Sequence, residues 1–220
     1  MRVTLDFAAV LTEWPLLVKG IAWTLGLTAV SAVLGVAIGI AAAWVRGHAA
    51  AWLRALVGAY VEVVRNTPFI VQLFFVFFGL PALGLRLSPE LASVIAMVVN
   101  LGAYATEIVR AGIEATPRGQ LEAAASLALT PGQTFLRVVL PPALRKVWPA
   151  LVSQVVIVML GSAVCSQIST EELSYAANLI QSRNFRAFEA FIVATLIYLA
   201  LAAFVRHVLH WVGPRFLFGR

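Results

Sequence analysis

Charged side chains are scarce in this sequence. Asp, Glu, Lys and Arg together make up 12% of the 220 residues, while hydrophobic residues make up 61%. A soluble domain carries about 25% charged residues. The chain therefore has too little polar surface to cover a water-soluble globule of its size, whereas a bilayer accepts apolar side chains on the outside of a protein. The composition predicts an integral membrane protein.

Motifs for several kinds of chemistry are missing as well. The single cysteine, Cys165, cannot form a disulfide within the chain, and we expect a small buried apolar side chain there. The sequence has no phosphate-binding Gly-x-x-x-x-Gly-Lys-Ser/Thr loop, no cluster of metal ligands and no nucleophile beside a base. The three histidines lie near the predicted cytoplasmic ends of apolar runs. We therefore expect no catalytic residue, no metal site and no cofactor in this chain.

Long apolar runs account for most of the sequence. About 20 apolar residues are enough to cross a bilayer as a helix. Ser88 and Pro89 suit the N-cap and the first helical position before the third run. The sequence thus predicts an all-α integral membrane protein with about five transmembrane helices, at residues 20–45, 56–80, 91–109, 147–168 and 190–205, the last extending at most to residue 212.

Basic residues between the spans predict the orientation, because lysine and arginine mark the cytoplasmic loops of membrane proteins. They concentrate in residues 46–65, in residues 110–146 and in the C-terminal tail, whereas the short loop after the second span has only Arg86. This places the N-terminus outside and the C-terminus in the cytoplasm. Since topology explains the basic residues, the net charge of +6 does not indicate nucleic acid as a partner.

The connection between the third and fourth spans, about residues 111–146 and called the connecting segment below, has helix signals of its own. Thr116 and Pro117 can begin a short helix, and residues 121–129 are rich in helix-forming side chains. The side chains of residues 123–128 are almost all small. Such a helix could enter a groove on a partner protein, and it could equally lie on the membrane surface.

A second short helix is predicted directly after the first. Residues 130–133 read Thr-Pro-Gly-Gln, a capping box with proline at the first helical position. Pro141 and Pro142 cannot donate backbone hydrogen bonds, so we expect this helix to end at about Leu140. Two short helices would then meet at a sharp turn on the cytoplasmic face.

The connecting segment resembles the EAA loop of permease subunits in ATP-binding-cassette (ABC) importers. That pattern is Glu-Ala-Ala, three residues, Gly, nine residues, Ile, one residue and Leu-Pro. Ala128 stands in place of Gly, which alanine can replace if the backbone does not need a positive φ, and Val138 stands in place of Ile. In the family this helix fits a cleft in the ATPase subunit and transmits its movement. The resemblance therefore implies ATPase-coupling residues at Gln120, Glu122, Ala123, Ala124, Ala128, Leu140 and Pro141.

Other stretches are similar to the polar amino-acid permease subfamily, which serves histidine, glutamate, glutamine, arginine and opines. They are residues 60–68, 71–75, 100–104, 107–110 and 119–120, within a resemblance that covers most of residues 20–205. The subfamily commonly has a charged Lys-Asp or Lys-Asn pair at the end of the fourth span, where this chain has Leu160 and Gly161. The substrate thus stays open between a polar amino acid and another small solute.

The resemblance also implies partners and a mechanism. It predicts a single transmembrane permease domain over residues 1–220. This domain is expected to lie in the bacterial cytoplasmic (inner) membrane, in contact with membrane lipid. The expected partners are two ATPase subunits that hydrolyse ATP, a second permease subunit of the same or a different kind, and an extracytoplasmic solute-binding protein. Transport would occur by alternating access. A secondary transporter, the main rival, would need coupling-ion residues and usually internal repeats, and neither is evident.

Polar residues within or beside the spans are candidates for the pathway, and each has a structural alternative. Glu107 can pair with Arg110 three residues later, which we favour over substrate contact. Residues 65–68 predict either a broken helix that lines a cavity or a plain helix start. Asn100 is expected to bond two helices together, and the two serines to bond back to their own helix. The candidates are Arg65, Asn66, Thr67, Gln72, Asn100, Glu107, Ser162, Ser166 and Gln167.

The loop after the fourth span contains one more signal. Ser169 is followed three residues later by Glu172, a spacing typical of a helix start. We expect a short amphipathic helix here, and its acidic residues Glu171 and Glu172 are hypothesised to contact the binding protein.

Overall fold

The computed structural model describes residues 5–217, and this range contains helices and no strand. Four helical stretches are long and apolar enough to cross a membrane, and a fifth apolar region forms two helices bent by 111°. The prediction of an all-α protein with about five spans is confirmed. The helices are α1 (Ala8–Leu11), α2 (Trp14–His48), α3 (Ala51–Arg65), α4 (Phe69–Phe74), α5 (Pro89–Glu114), α6 (Arg118–Ser126), α7 (Pro131–Thr134), α8 (Leu140–Gly161), α9 (Leu173–Asn184) and α10 (Ala187–Val212).

Helices α2 and α5 approach each other closely through glycine. A Cβ atom added to Gly39 of α2 would lie 2.5 Å from the Cβ atom of Ala105, and one added to Gly35 would lie 2.9 Å from the Cβ atom of Leu101. Small residues four positions apart allow membrane helices to meet backbone against backbone. The pair α2–α5 therefore forms a tight centre, against which α3, α8 and α9 pack, whereas α10 packs on α8 and α9.

Two predicted helix starts are confirmed by their caps. The Ser88 hydroxyl accepts a hydrogen bond from the backbone N–H of Leu91, with Pro89 at the first helical position of α5. At α7 the Thr130 side chain accepts from the Gln133 N–H, and the Gln133 side chain accepts from the Thr130 N–H. Each cap satisfies backbone donors that a helix start leaves without a partner.

The predicted stop at Pro141 and Pro142 is wrong. The helical stretch from Pro131 continues to Ile168, with a π-helical turn, Phe135–Val139, directly before the prolines. This wider turn changes the hydrogen-bond register. It places the prolines at the start of α8, where their missing N–H groups are tolerated.

The two ends of the bundle are defined by contacts among helix termini. At one end the rings of Trp44 and Phe135 lie 4.4 Å apart, and the Trp148 indole N–H donates to the Leu209 carbonyl oxygen at 3.0 Å. The end of α2, the start of α8 and the end of α10 therefore lie together with α6, at what we call the α6 end. The opposite α9 end carries the ion pair between Lys19 and Glu171.

Candidate functional site

The break between α3 and α4 is held by side chains that follow α3. The Asn66 amide donates to the Glu62 carbonyl oxygen at 2.8 Å. The Thr67 hydroxyl donates to the Val63 carbonyl oxygen, also at 2.8 Å. Both carbonyls belong to the last turn of α3, where the Glu62 oxygen also accepts from the Asn66 backbone N–H at 3.0 Å and where a helix end leaves carbonyl oxygens without further helical donors. Asn66 and Thr67, predicted as pathway residues, thus act first as caps of α3.

Gln72 completes this arrangement from the other side of the break. Its amide nitrogen donates to the carbonyl oxygens of Val64 at 2.7 Å and Thr67 at 3.0 Å. Its amide oxygen accepts a 3.0 Å hydrogen bond from the Asn100 amide of α5. The expectation that Asn100 bonds two helices together is confirmed. Gln72, left open from the sequence, ties the broken helix to α5.

A cavity of about 450 Å³ lies beside the break. Its lining is mainly apolar and includes a few neutral polar groups, which is the usual composition of a small-molecule site. Two predicted pathway residues, Thr67 and Asn100, face it, and the sequence did not single out its polar residues Tyr104 and Gln154. The lining consists of Thr67, Pro68, Phe69, Asn100, Tyr104, Gln154, Ile157, Val158 and Gly161.

The signal for Gln154 was present in the sequence. It is an uncharged polar side chain within the apolar run of residues 147–168, and such side chains either bond to another helix or line a cavity. In the structure it is half-buried, and in the described residues its side chain has no hydrogen-bond partner. Its amide therefore offers a donor and an acceptor to a ligand in the cavity.

Glu107 is surrounded by three arginines from three helices. The Arg110 guanidinium donates to a Glu107 carboxylate oxygen at 2.8 Å, Arg46 of α2 forms an ion pair with the same carboxylate, and Arg65 of α3 approaches to 3.9 Å. The predicted pair with Arg110 is confirmed. The two additional arginines, distant in sequence, make Glu107 a junction of α2, α3 and α5.

A second cavity, of about 360 Å³, lies on this junction. Arg46, Arg65 and Glu107 line it, and its lining is much more polar than that of the first cavity. Tyr104 lines both cavities, and the guanidinium carbon of Arg65 lies 5.4 Å from the centre of the Tyr104 ring, within cation–π range. The two cavities therefore adjoin at Tyr104.

The α6 helix presents a different kind of surface. Gln120, Glu122 and Ala123 are exposed, whereas Ala124 is buried against the rest of the protein. Among residues 5–217, the side chains of Gln120 and Glu122 have no polar partner. Leu127, at the end of α6, is 74% exposed. The arrangement leaves one face of α6 free for a second molecule.

The last two residues of the EAA-like pattern, Leu140 and Pro141, lie farther along the chain. Leu140 packs against the cluster of Ala43, Ala105, Val109 and Leu151 between α2, α5 and α8. Pro141 is exposed. This part of the pattern thus joins the base of α8 to the bundle, while Pro141 faces outward.

Ala128 adopts a positive φ, the backbone conformation in which alanine is a poor replacement for glycine. Its φ is +53°. The Leu129 N–H donates to the Ala124 carbonyl oxygen, and the Ala128 N–H donates to the Ala125 carbonyl oxygen. This pattern is a Schellman motif, in which the residue after the helix is usually glycine. The turn thus favours glycine for conformational reasons, and this chain accepts the strain of an alanine.

The polar residues at the end of the fourth span lie outside both cavities. The hydroxyls of Ser162 and Ser166 donate to carbonyl oxygens of their own helical turn, Met159 at 2.6 Å and Ala163 at 2.7 Å. The alternative of back-bonding is therefore confirmed for both serines. Gln167 is exposed at the α9 end.

The predicted helix start at Ser169 is wrong, and Glu172 is not a surface residue. Helix α9 begins at Leu173, and Glu172 is its N-cap, accepting from the Tyr175 N–H at 2.8 Å. The carboxylate is fully buried and also accepts from the Tyr198 hydroxyl. Burial raises the pKa of Glu172 above its usual range, against the opposing effect of these hydrogen bonds. Glu171 stays exposed enough to meet another protein.

Comparison with known proteins identifies the family. The family described as binding-protein-dependent transport system inner membrane component matches residues 12–218. The arginine transport system permease protein ArtQ of Bacillus subtilis strain 168 is 33% identical over 90% of this chain and 91% of its own length. The L-cystine transport system permease protein TcyB of the same organism is 36% identical, over 89% and 86%. The glutamine transport system permease protein GlnP of Escherichia coli K12 is 31% identical, over 93% and 94%.

Solved structures agree with this assignment. A chain in the crystal structure of an amino acid ABC transporter with histidines is 33% identical and superposes with a TM-score of 0.85, over 95% of this chain and 98% of that chain. A chain of the inward-facing MetNI methionine ABC transporter is 24% identical with a TM-score of 0.70, and shares the fold. The protein therefore belongs to the binding-protein-dependent transport system inner membrane components: it is a multi-pass permease subunit of an ABC importer, not an enzyme, and partner ATPases hydrolyse the ATP.

Proposed function

We propose that this subunit forms half of the pathway for a polar amino acid, and that the amino acid passes through the 450 Å³ cavity beside the helix break. The observation that carries the proposal is the composition of this cavity. Asn100, Tyr104 and Gln154 offer amide and hydroxyl groups that can bond both charged ends of an amino acid. Ile157 and Val158 supply an apolar wall for its side chain.

The relatives support this substrate class. Their names assign them to arginine, L-cystine and glutamine transport, three solutes that all carry an α-amino group beside a carboxylate. A cavity of about 450 Å³ is within the range of about 300–1,000 Å³ that holds small ligands. A second permease subunit, the same chain or a similar one, would supply the other half of the pathway.

The α6 helix is proposed to dock into the ATPase subunit. Its free face holds Gln120, Glu122 and Ala123, and α5 ends at Glu114, close before it. Glu107 lies two helical turns before Glu114 in α5. Its ion pairs with Arg46 and Arg65 connect α2 and α3 to α5. A movement of α6 would therefore be passed through α5 to the break, where the cavity lies. This chain of contacts supports alternating access.

The orientation follows from the same proposal. Two ATPase subunits lie in the cytoplasm, so the α6 end faces the cytoplasm and the α9 end faces outward, toward a solute-binding protein. The N-terminus then lies outside and the C-terminus inside. The basic side chains of Arg46, Arg54 and Arg118 at or near the α6 end agree with the positive-inside rule.

The docking role is tested with Glu122→Lys. Glu122 is exposed and has no partner within the described chain, so the change should leave folding intact. We expect transport in proteoliposomes to fall by about 100-fold, and the ATPase no longer to co-purify in mild detergent. Glu171→Lys, the same change on a glutamate at the α9 end, should keep the ATPase bound. Equal retention of the ATPase by Glu122→Lys would contradict the docking role.

The pathway is tested separately with Gln154→Leu. The Gln154 amide faces the cavity and has no partner in the described chain, so leucine removes a ligand contact without breaking an internal one. We expect KM for the transported amino acid to rise about ten-fold, with the thermal unfolding midpoint and ATPase binding unchanged. Assays use labelled glutamine, arginine and cystine in turn. An unchanged KM for every transported solute would place the pathway elsewhere.

A further inference from the structure

A groove on the side of the bundle has two chemically distinct halves. It runs between α8 and α10 and has a volume of about 500 Å³. One half is apolar and the other is basic. The lining consists of Val156, Leu199, Ala202, Ala203, Arg206, His207 and His210.

The basic half lies at the α6 end of the bundle. Arg206 follows Leu199 by seven positions on α10, which is about 10 Å along a helix. The hydrogen bond from Trp148 to Leu209 joins α8 to α10 at this level. Trp211 is 52% exposed one turn after His207, as tryptophans are at the membrane–water boundary. The apolar half therefore lies at the depth of acyl chains and the basic half at the depth of headgroups.

The three basic side chains have no polar partner among residues 5–217. Other arginines near the membrane boundary are used differently: Arg46 and Arg110 pair with Glu107, and Arg183 pairs with Glu13. A guanidinium group binds a phosphate with two parallel hydrogen bonds. An imidazole has at least one N–H donor in either protonation state. The end of the groove is thus equipped for an anion that the chain itself does not supply.

We propose that this groove binds an anionic phospholipid. Arg206, His207 and His210 hold the phosphate, and one acyl chain lies along Leu199, Ala202 and Val156. A lipid satisfies both halves at once, whereas a free anion would leave the apolar half uncovered. Basic pockets between membrane helices on the cytoplasmic side are a common way to select anionic headgroups. The lipid would bridge α8, which begins at the connecting segment, to α10.

Native mass spectrometry of the intact importer tests the proposal. The purified complex is stripped of lipid and offered dioleoyl-phosphatidylglycerol or dioleoyl-phosphatidylcholine, which share acyl chains and differ in charge. We expect about ten-fold higher occupancy of the anionic lipid. The double variant Arg206→Gln/His207→Gln should lose this preference, and both positions are exposed, so folding is preserved. Arg54→Gln, an exposed arginine of α3 outside the groove, is the matched control.

A second variant tests the apolar half. Ala202→Phe fills the groove without changing charge, and it should lower the occupancy of both lipids. Three results would overturn the proposal: an unchanged preference in the double variant, an equal loss in Arg54→Gln, or competition by glycerol phosphate as strong as by the whole lipid. A cross-link from Ala203→Cys to a second permease subunit would also overturn the proposal, because it would show that a protein covers the groove.

Discussion

The helix break and the connecting segment both interrupt the membrane helices with polar residues, but they use those residues in opposite ways. At the break, the side chains of Asn66, Thr67 and Gln72 bond to carbonyl oxygens of the same chain. On α6, the side chains of Gln120 and Glu122 are exposed and bond to nothing in the described residues. Backbone polar groups in a membrane must be satisfied within the protein, so the side chains at the break bond to carbonyl oxygens of the interrupted helix, whereas side chains in water are free to serve a partner. The comparison separates side chains that stabilise the fold from those offered for docking.

A pair of glutamine variants tests this comparison most strongly. Gln72→Leu leaves the Val64 carbonyl oxygen and the Asn100 amide without their partner, so we expect a loss of about 2–3 kcal/mol in the free energy of unfolding. Gln120→Leu should not change it, because the Gln120 side chain bonds to no described residue. Thermal unfolding in detergent measures both. Equal shifts in the two variants would show that the hydrogen bonds of Gln72 stabilise the fold no more than the exposed Gln120 side chain does.

Gln120→Leu has a second expected effect, on the coupling between ATP hydrolysis and transport. Gln120→Leu lies on the free face of α6 and should weaken the link between ATP hydrolysis and transport. The ratio of ATP hydrolysed to solute moved in proteoliposomes reports this directly. A Gln120→Leu complex with wild-type coupling would show that this side chain is not part of the docking surface.

The buried carboxylate of Glu172 should make the stability of the fold depend on pH. The folded state raises the pKa of Glu172, so it holds the proton more tightly than the unfolded chain. The stabilisation that Glu172 contributes is fully present below the pKa of an unfolded glutamate. It is lost as the pH rises through the pKa of Glu172 in the folded protein. We expect unfolding to become easier with rising pH, by at most about 1.4 kcal/mol per unit for this group.

The variant Glu172→Gln should remove that contribution while keeping the cap of α9. The measurement is the thermal unfolding midpoint between acid and neutral pH. If the unfolding midpoint of Glu172→Gln still changes with pH as in the wild type, other titrating groups cause the pH dependence.

The smallest expected effect lies in the turn after α6. Ala128 has φ +53°, so Ala128→Gly should relieve strain and stabilise the turn by about 0.5–1 kcal/mol. Ala125→Gly, inside α6, should weaken the helix by a similar amount. Hydrogen exchange at the Leu129 amide, which donates to Ala124, is the local measurement. If the Leu129 amide exchanged faster in Ala128→Gly than in the wild type, the backbone at Ala128 would not be strained.

Sequence patterns predicted the parts of the site that depend on near neighbours. Hydropathy located the spans, and the caps at Ser88 and Thr130 were correct because they involve residues three positions apart. The ion pair of Glu107 with Arg110 was foreseen for the same reason. The predicted stop at Pro141 failed, since a π-helical turn just before it changed the hydrogen-bond register. The presence of Pro141 and Pro142 in the sequence did not by itself indicate a π-helical turn before them.

Short-range sequence patterns were sufficient to predict an all-helical membrane protein and a separate segment between its third and fourth spans, because bilayer thickness and helix capping act over short stretches of chain. Which polar groups meet became clear only from the packing of the helices. Gln72 reaches Asn100 across 28 positions, Arg46 reaches Glu107 across 61, and Glu172 reaches Tyr198 across 26. Such contacts depend on how the helices pack, and that packing set Glu172 inside the protein and left Glu122 outside.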